Sequence, residues 1–341
     1  MSTPVATSPP QGRRMVLAAV LVSAVVALAL WAFAWPATRT APRDLPLGVA
    51  GPAAATAPLK AQLAGRGGAF EVHQYADESA ARDAIEDRAV YGAVVVTPQG
   101  MKLLTATAAS PVVAQLLEQA VAGQAPEGTE VPTTDVVPAP TADPRGAALG
   151  ASILPLAIAG VAAGAMVTML GLRGIRAAGA LALAAGAVGV VAATVTHSWL
   201  GVLTGNWWAE AGVLGLATLA VGGAVAGCAA LLGTAGIGIG ALTMVLLGNP
   251  FSGVTSAPRL LPEPVGFIGQ LLPPGAGGTL LRSVSFFDGA RITGPLVTLA
   301  VWALLGLTAV LLGALRHRPA AATREETPTA TATATGAVPV S

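Results

Sequence analysis

From Met15 to Trp35 the chain runs for 21 residues without a charged side chain, about 31 Å of helix at about 1.5 Å per residue. That length matches the roughly 30 Å hydrocarbon core of a bilayer. Five further runs follow: about Ala148 to Leu172, Ala177 to Thr196, about Glu210 to Leu232, about Ala235 to Val254, and about Gly294 to Leu315. Such segments favour lipid as helices, because a helix satisfies its own backbone hydrogen bonds where water cannot. The sequence therefore predicts an α-helical integral membrane protein with six transmembrane helices. Hydrophobic residues make up 54% of the 341 and charged ones only 10%, so the placement of the few charges carries most of the remaining information.

Basic residues collect at the cytoplasmic ends of spans. Here the pairs Arg13/Arg14, Arg173/Arg176 and Arg316/Arg318 fall at alternate ends of the six runs, which predicts a multi-pass protein of the cell membrane with both termini cytoplasmic. Tryptophan prefers the membrane–water interface. Trp31, Trp35, Trp199, Trp207 and Trp208 fall at the expected outer ends, with Trp302 inside a span. Ala32-Phe33-Ala34 resembles a signal-peptidase site, but the 21-residue run exceeds the usual signal core of about 7 to 15 residues and is read as a retained first helix. The expected organisation is a cytoplasmic leader (1–14), the first helix (15–35), a small α/β extracytoplasmic domain with its linker (36–146), a five-helix membrane domain (147–315) and a disordered cytoplasmic tail (316–341).

Residues 36–146 hold twelve of the seventeen acids and eight of the eighteen basic residues. The pattern predicts strands at Leu45 to Val49, Phe70 to Gln74, Val90 to Val96 and Lys102 to Thr107, with helices near Ala53 to Leu63, Glu78 to Asp87 and Pro111 to Ala122. In the second helix Ala81, Ala84 and Ile85 line one face, Asp77 is the expected N-cap, and Glu78/Arg82 and Arg82/Glu86 are i, i+4 opposite-charge pairs. These charges read as a solvated helix face, with a ligand site as the alternative. The valines after it suit a strand covered on both faces. Gln124 to Pro144, rich in Pro, Thr and acids, reads as an extended linker. The second polar interruption, 252–293, is cut by Pro258, Pro262, Pro264, Pro273 and Pro274 into apolar pieces too short to span. It is either re-entrant or interfacial helix, or a loop on the lipid surface.

Several functions are excluded at this level. Two lysines, Lys60 and Lys102, and scattered arginines make no tract for nucleic-acid phosphates. The single Cys228 allows neither an internal disulfide nor a cysteine metal cluster. Neither lysine belongs to a phosphate-binding Gly-x-x-x-x-Gly-Lys loop, and Gly236-Ile237-Gly238-Ile239-Gly240 opens an apolar run without a soluble strand before it. It reads as close helix packing, as do Gly160/Gly164 and Gly223/Gly227. No hydrolase or metalloprotease motif is present, so no enzymatic activity, cofactor or metal site is expected. The ionisable residues near the outer boundary, His197, Glu210, Arg282 and Asp288, are the candidate gating or pathway residues. They read as interfacial groups in contact with water or headgroups, or else with Glu210 and Arg282 paired across an outer mouth.

One N-terminal span, the segment "DESAARDAIEDRAVYGAVVVTP", five further spans and the stretch "NPFSG…LLPEPVGFIGQLLPPGAGGTLLRS" together resemble the ABC-2-type permease superfamily, nearest to its phage-infection-protein (YhgE/Pip)-like branch and the related DUF3533-like membrane proteins. The matching features are the acidic helix Glu78 to Asp87, Tyr91-Gly92-Ala93, the strand Val94 to Pro98, Ser252-Gly253, Leu261-Pro262, Leu272-Pro273 and Leu281-Arg282. Pro274-Gly275 stands where that branch often has an aromatic residue. The resemblance covers the layout of nearly the whole chain but only two short stretches in sequence. It implies export of a lipophilic compound such as a lipid, drug or envelope precursor, pairing into a homo- or heterodimer in the lipid bilayer, and a separate ATPase subunit. The alternative is a non-transporting envelope scaffold, secretion accessory or phage-receptor-like protein acting through its outer domain. A proton-coupled exporter is the weakest reading, since no inverted repeat and no mid-bilayer acid is apparent.

Overall fold

The computed structural model describes residues 11–123 and 131–316. The start of the leader, residues 124–130 of the expected linker, and the tail beyond 316 lie outside the described residues. The fold is mostly helical, and five helices are long and apolar enough to cross a membrane: Met15–Ala37, Ala147–Met169, Gly174–Trp199, Trp207–Leu232 and Thr293–Leu315. The architecture is that of an α-helical membrane protein. The run expected from Ala235 to Val254 is instead a shorter apolar helix, Thr234–Gly248. At about 1.5 Å per residue its 15 residues fall short of a roughly 30 Å core. Pro250 stops it, since proline has no N–H to continue the ladder.

The first helix, α1 (Gln11–Ala37), stands largely apart: 6% of its apolar window is buried, against 67% for the most enclosed span. Its end is tied down where Ala41 N–H and Arg43 Nη1 both donate to the Leu260 carbonyl, at 3.0 and 2.8 Å. The chain then forms an α/β domain: β1 (Leu45–Ala50), α2 (Ala53–Ala64), β2 (Phe70–Tyr75), α3 (Glu78–Glu86), β3 (Gly92–Thr97), β4 (Gly100–Thr105), α4 (Pro111–Ala122) and β5 (Thr133–Asp135). The sheet order is β2-β1-β3-β4-β5, parallel except for the β3–β4 hairpin.

Successive side chains of a strand point to opposite faces, and this explains the valine run. Val95 packs with Ala81, Ala84 and Ile85 of α3 on one face; Val94 packs with Leu63, Val113 and Leu117 of α2 and α4 on the other. α3 begins as expected, with Asp77 Oδ1 accepting from Ala80 N–H at 2.9 Å. Of the two expected charge pairs only the first forms, Arg82 to Glu78 at 3.1 Å, and Lys102 joins it at 2.8 Å. The expected linker is in part a strand: β5 extends the sheet, held by Thr107 N–H donating to Asp135 Oδ1 at 3.1 Å.

The bundle is built around α7 (Trp207–Leu232), which contacts α5 (Ala147–Met169), α6 (Gly174–Ala193), α8 (Thr234–Ala241), the short helix α10 (Pro273–Phe286) and α11 (Thr293–Arg316). Small residues set the approach. A Cβ at Gly164 would lie 2.6 Å from the Gly222 carbonyl oxygen, and one at Gly306 would lie 2.3 Å from the Gly223 carbonyl carbon, so these helices meet backbone to backbone. Gly236 and Gly240 likewise abut Cys228 and Val225, while Gly238 faces open space.

The proline-cut segment is in large part helical and packed against the rest of the molecule. It forms α9 (Val265–Gln270) and α10, and nearly every residue from Pro273 to Ser285 is buried. α10 wedges against α5, α7 and α11. Trp302, the tryptophan expected inside a span, donates its indole N–H to the Leu271 carbonyl at 2.8 Å, which explains its position. The same segment also seats the α/β domain, with Leu260 entering the core on one face of the sheet and Phe287 the core on the other.

Candidate functional site

Several buried polar groups of the bundle lie at the end of α10, Arg282, Ser283 and Ser285, and at the start of α7, Glu210. α6 continues as a π-helical turn, Thr194–Trp199, that carries His197. Turns of this kind widen a helix and recur at functional sites. Asn206 caps α7 by accepting from Ala209 N–H at 3.0 Å, which places Glu210 in the first turn, where the helix dipole favours an anion.

Glu210 is fully buried. One carboxylate oxygen meets His197 Nδ1 at 2.7 Å; the other accepts from Gly205 N–H at 2.9 Å. The expected Glu210–Arg282 pair is therefore not formed. The chain at Gly205 runs against α10, where a Cβ would fall 2.2 Å from the Val284 carbonyl oxygen, and Thr204 Oγ1 donates to the Ser285 carbonyl at 3.3 Å. The His197–Glu210 pair thus sits one loop away from α10 without touching Arg282. An interfacial, water-facing reading does not hold for Glu210 or Arg282. Asp288 is exposed, at a left-handed φ of 47°, and lines an open cavity of about 570 Å3 with Glu86 and Asp87.

Arg282 is 5% exposed, and its Nη2 donates to the Val254 carbonyl at 2.9 Å. Close packing brings that carbonyl within reach: a Cβ at Gly278 would strike Val254 Cγ2 at 2.3 Å. A polar chain runs alongside. Gln270 Nε2 donates to the Ser252 carbonyl at 2.8 Å, and Thr279 Oγ1 donates to Gln270 Oε1 at 2.7 Å. From the α/β domain, Arg88 Nη1 donates to the Thr279 carbonyl at 3.1 Å and to Ser283 Oγ, and its guanidinium lies 5.2 Å from the centre of the Phe287 ring.

Arg88 is the member of this buried cluster that the pattern hid, because it closes a charge-rich helix that looks solvated throughout. Its φ of 56° places it in the left-handed position after the helix cap, a site that glycine favours. A non-glycine residue there costs of order 1 kcal/mol, a cost offset by its bonds to α10. Burial pulls the Arg88 guanidinium below its ordinary value, with Arg291 adding and Tyr91 opposing.

No protein-family model, curated protein or solved structure matches this chain. Among the described residues no group of three or more His, Cys, Asp or Glu side chains could hold a metal ion.

Proposed function

We propose that the chain is an ABC-2-type permease-like component of the cell membrane that takes part in export of a lipophilic compound, with any ATPase on a separate chain. The observation that carries this reading is α10. It is a short helix buried in protein, wedged among three long helices and bonded through Thr279 and Ser283 to Arg88 of the α/β domain. A half-length helix at that position is tolerated in a membrane where protein satisfies its backbone, and it joins the bundle mechanically to a domain outside it. In this reading the α/β domain is extracytoplasmic and both termini are cytoplasmic. Thr234–Gly248 and the buried chain up to Val254 then complete a sixth crossing.

Affinity purification of the full-length protein in mild detergent tests the proposal. Recovery of an ATPase in stoichiometric amount, with a changed efflux profile in a deletion strain, is the expected result. An unchanged efflux profile, together with a captured partner that depends on residues 45–122, sinks export and leaves the envelope scaffold in its place.

A further inference from the structure

The chain that leaves the short apolar helix Thr234–Gly248 folds back on itself beside α1. Ser252 does the bonding within this turn: its Oγ donates to the Asn249 carbonyl at 2.6 Å and accepts from Val254 N–H at 3.3 Å. Gly253, at a left-handed φ of 64°, then lets the chain double back so closely that a Cβ there would lie 2.7 Å from Pro258 N. Three polar side chains are left over. The Asn249 amide and the Thr255 and Ser256 hydroxyls make no hydrogen bond to another described residue.

Asn249, Thr255 and Ser256 line one cavity of about 300 Å3, together with Phe33 and Pro36 of α1 and Leu261. That volume is at the lower end of the range for ligand pockets. No Asp, Glu, Lys, Arg or His lines it, so its chemistry is neutral: an apolar wall with amide and hydroxyl donors. The cavity lies at the end of the spans. Phe33 and Pro36 fall near the end of the run Met15–Ala37, and Asn249 directly follows Thr234–Gly248. Trp35 packs against Leu261 and stacks on Trp31 with ring centres 5.8 Å apart, and tryptophan marks the membrane–water interface. This is the depth at which the glycerol and ester groups of a lipid join its tails to its headgroup. α1 meets the bundle mainly through Leu242–Gly248, and only 6% of its apolar window is buried, so lipid tails can reach the cavity along its flanks.

We propose that this cavity binds the glycerol-ester region of a diacyl lipid, with Asn249, Thr255 and Ser256 donating to its ester carbonyl oxygens and the acyl chains lying along α1. A lipid held there ties α1 to the bundle it otherwise barely touches. The lipid has two sources, a bilayer phospholipid or an uncharged diacylglycerol. The site rests on the apolar helices and not on the export reading, since a lipid between α1 and the bundle would serve a scaffold equally well.

The test follows thermal unfolding of the full-length protein in neutral detergent as lipid is added, a readout separate from efflux and copurification. One arm adds dioleoyl phosphatidylglycerol and a second adds dioleoylglycerol. The control is the diether analogue of each, which keeps headgroup and tails but has no ester carbonyl. The expected result is a saturable rise in the unfolding midpoint with diester lipid, and a half-saturating concentration about threefold or more higher for the diether, as loss of a neutral hydrogen bond predicts. In Thr255→Val/Ser256→Ala, which removes two hydroxyls with little change of shape, diester and diether should act alike. Asn249→Leu decides the matter if that double variant does not fold. A rise with dioleoylglycerol assigns the site to an uncharged diacyl lipid; a rise with phosphatidylglycerol alone assigns it to a bilayer phospholipid. No saturable rise, equal rises from diester and diether, or an ester preference that survives the substitutions overturns the proposal.

Discussion

Two glutamates lie in the first turn of a helix, one in each half of the molecule. Glu78 opens α3 and Glu210 lies in the first turn of α7, each at a helix end that favours an anion. Glu78 is one-third exposed and holds Arg82 and Lys102. Glu210 is sealed from solvent and holds one histidine and one backbone N–H. Both sit near a helix N-terminus, yet the energetics are opposite in scale. An exposed pair is worth at most about 1 kcal/mol because water competes for both charges, whereas breaking a buried one leaves a charge or dipole that nothing replaces.

The packing differs in the same way. The α/β domain closes around large side chains such as Leu45, Ile85, Leu104 and Leu117, because removing apolar surface from water drives that closure. The bundle also buries large side chains such as Leu181, Leu214 and Leu281, but its long helices meet in addition at glycines, because lipid is as apolar as leucine and close backbone approach adds to the attraction.

The largest effect expected from breaking this comparison is at Glu210. Glu210→Ala should destabilise the bundle by about 3 kcal/mol, read as a lowered unfolding midpoint in detergent. A double-mutant cycle with His197→Ala should show coupling of about 1 kcal/mol or more; additive single effects would remove the pair. Next comes the close approach of α7 and α11. Gly306→Val should cost about 1–3 kcal/mol by overpacking, whereas Gly186→Ala, with open space around it, should be neutral or stabilising. Equal costs at the two glycines would refute backbone contact as the cause.

In the α/β domain, Asp77→Ala should cost about 1 kcal/mol through the lost cap, visible as faster amide exchange confined to α3. The smallest effect is at Glu78, whose carboxyl is held below its ordinary 4.5 by hydrogen bonds from Lys102 and Arg82, with burial opposing. A lowered folded-state value stabilises fully above 4.5 and is lost as pH falls through that lower value. Acid should therefore weaken the domain slightly over this window. Lys102→Met should blunt that sensitivity, as acid titration of the midpoint will show.

Much of this molecule was legible in the chain. The strands and helices of the α/β domain were predicted to within a few residues, because alternation and i, i+3, i+4 spacing are short-range consequences of strand and helix geometry. Asp77 was legible as a cap for the same reason. The short strand β5 was not. Thr133–Asp135 has little apolar pattern, and its pairing with β4 is a long-range backbone event. In the candidate site the types were visible and the partners were not. Glu210 stood out as an acid at the edge of an apolar run, but its partner was set by a π turn that brings His197 round to it. Arg282 was visible, while Arg88, nearly two hundred positions away, looked like one more solvated charge.

Composition and periodicity alone determined that the chain carries several long apolar helices suited to lipid, that a charged α/β unit interrupts them, and that some of its glycines serve helix packing. Those properties follow from local geometry and from the cost of placing polar groups in hydrocarbon. The tertiary structure alone decided that the proline-cut segment is buried, that Thr234–Gly248 is shorter than the other long apolar helices, and which charge meets which. Pairing depends on distances between segments far apart in the chain, and no short-range pattern encodes them.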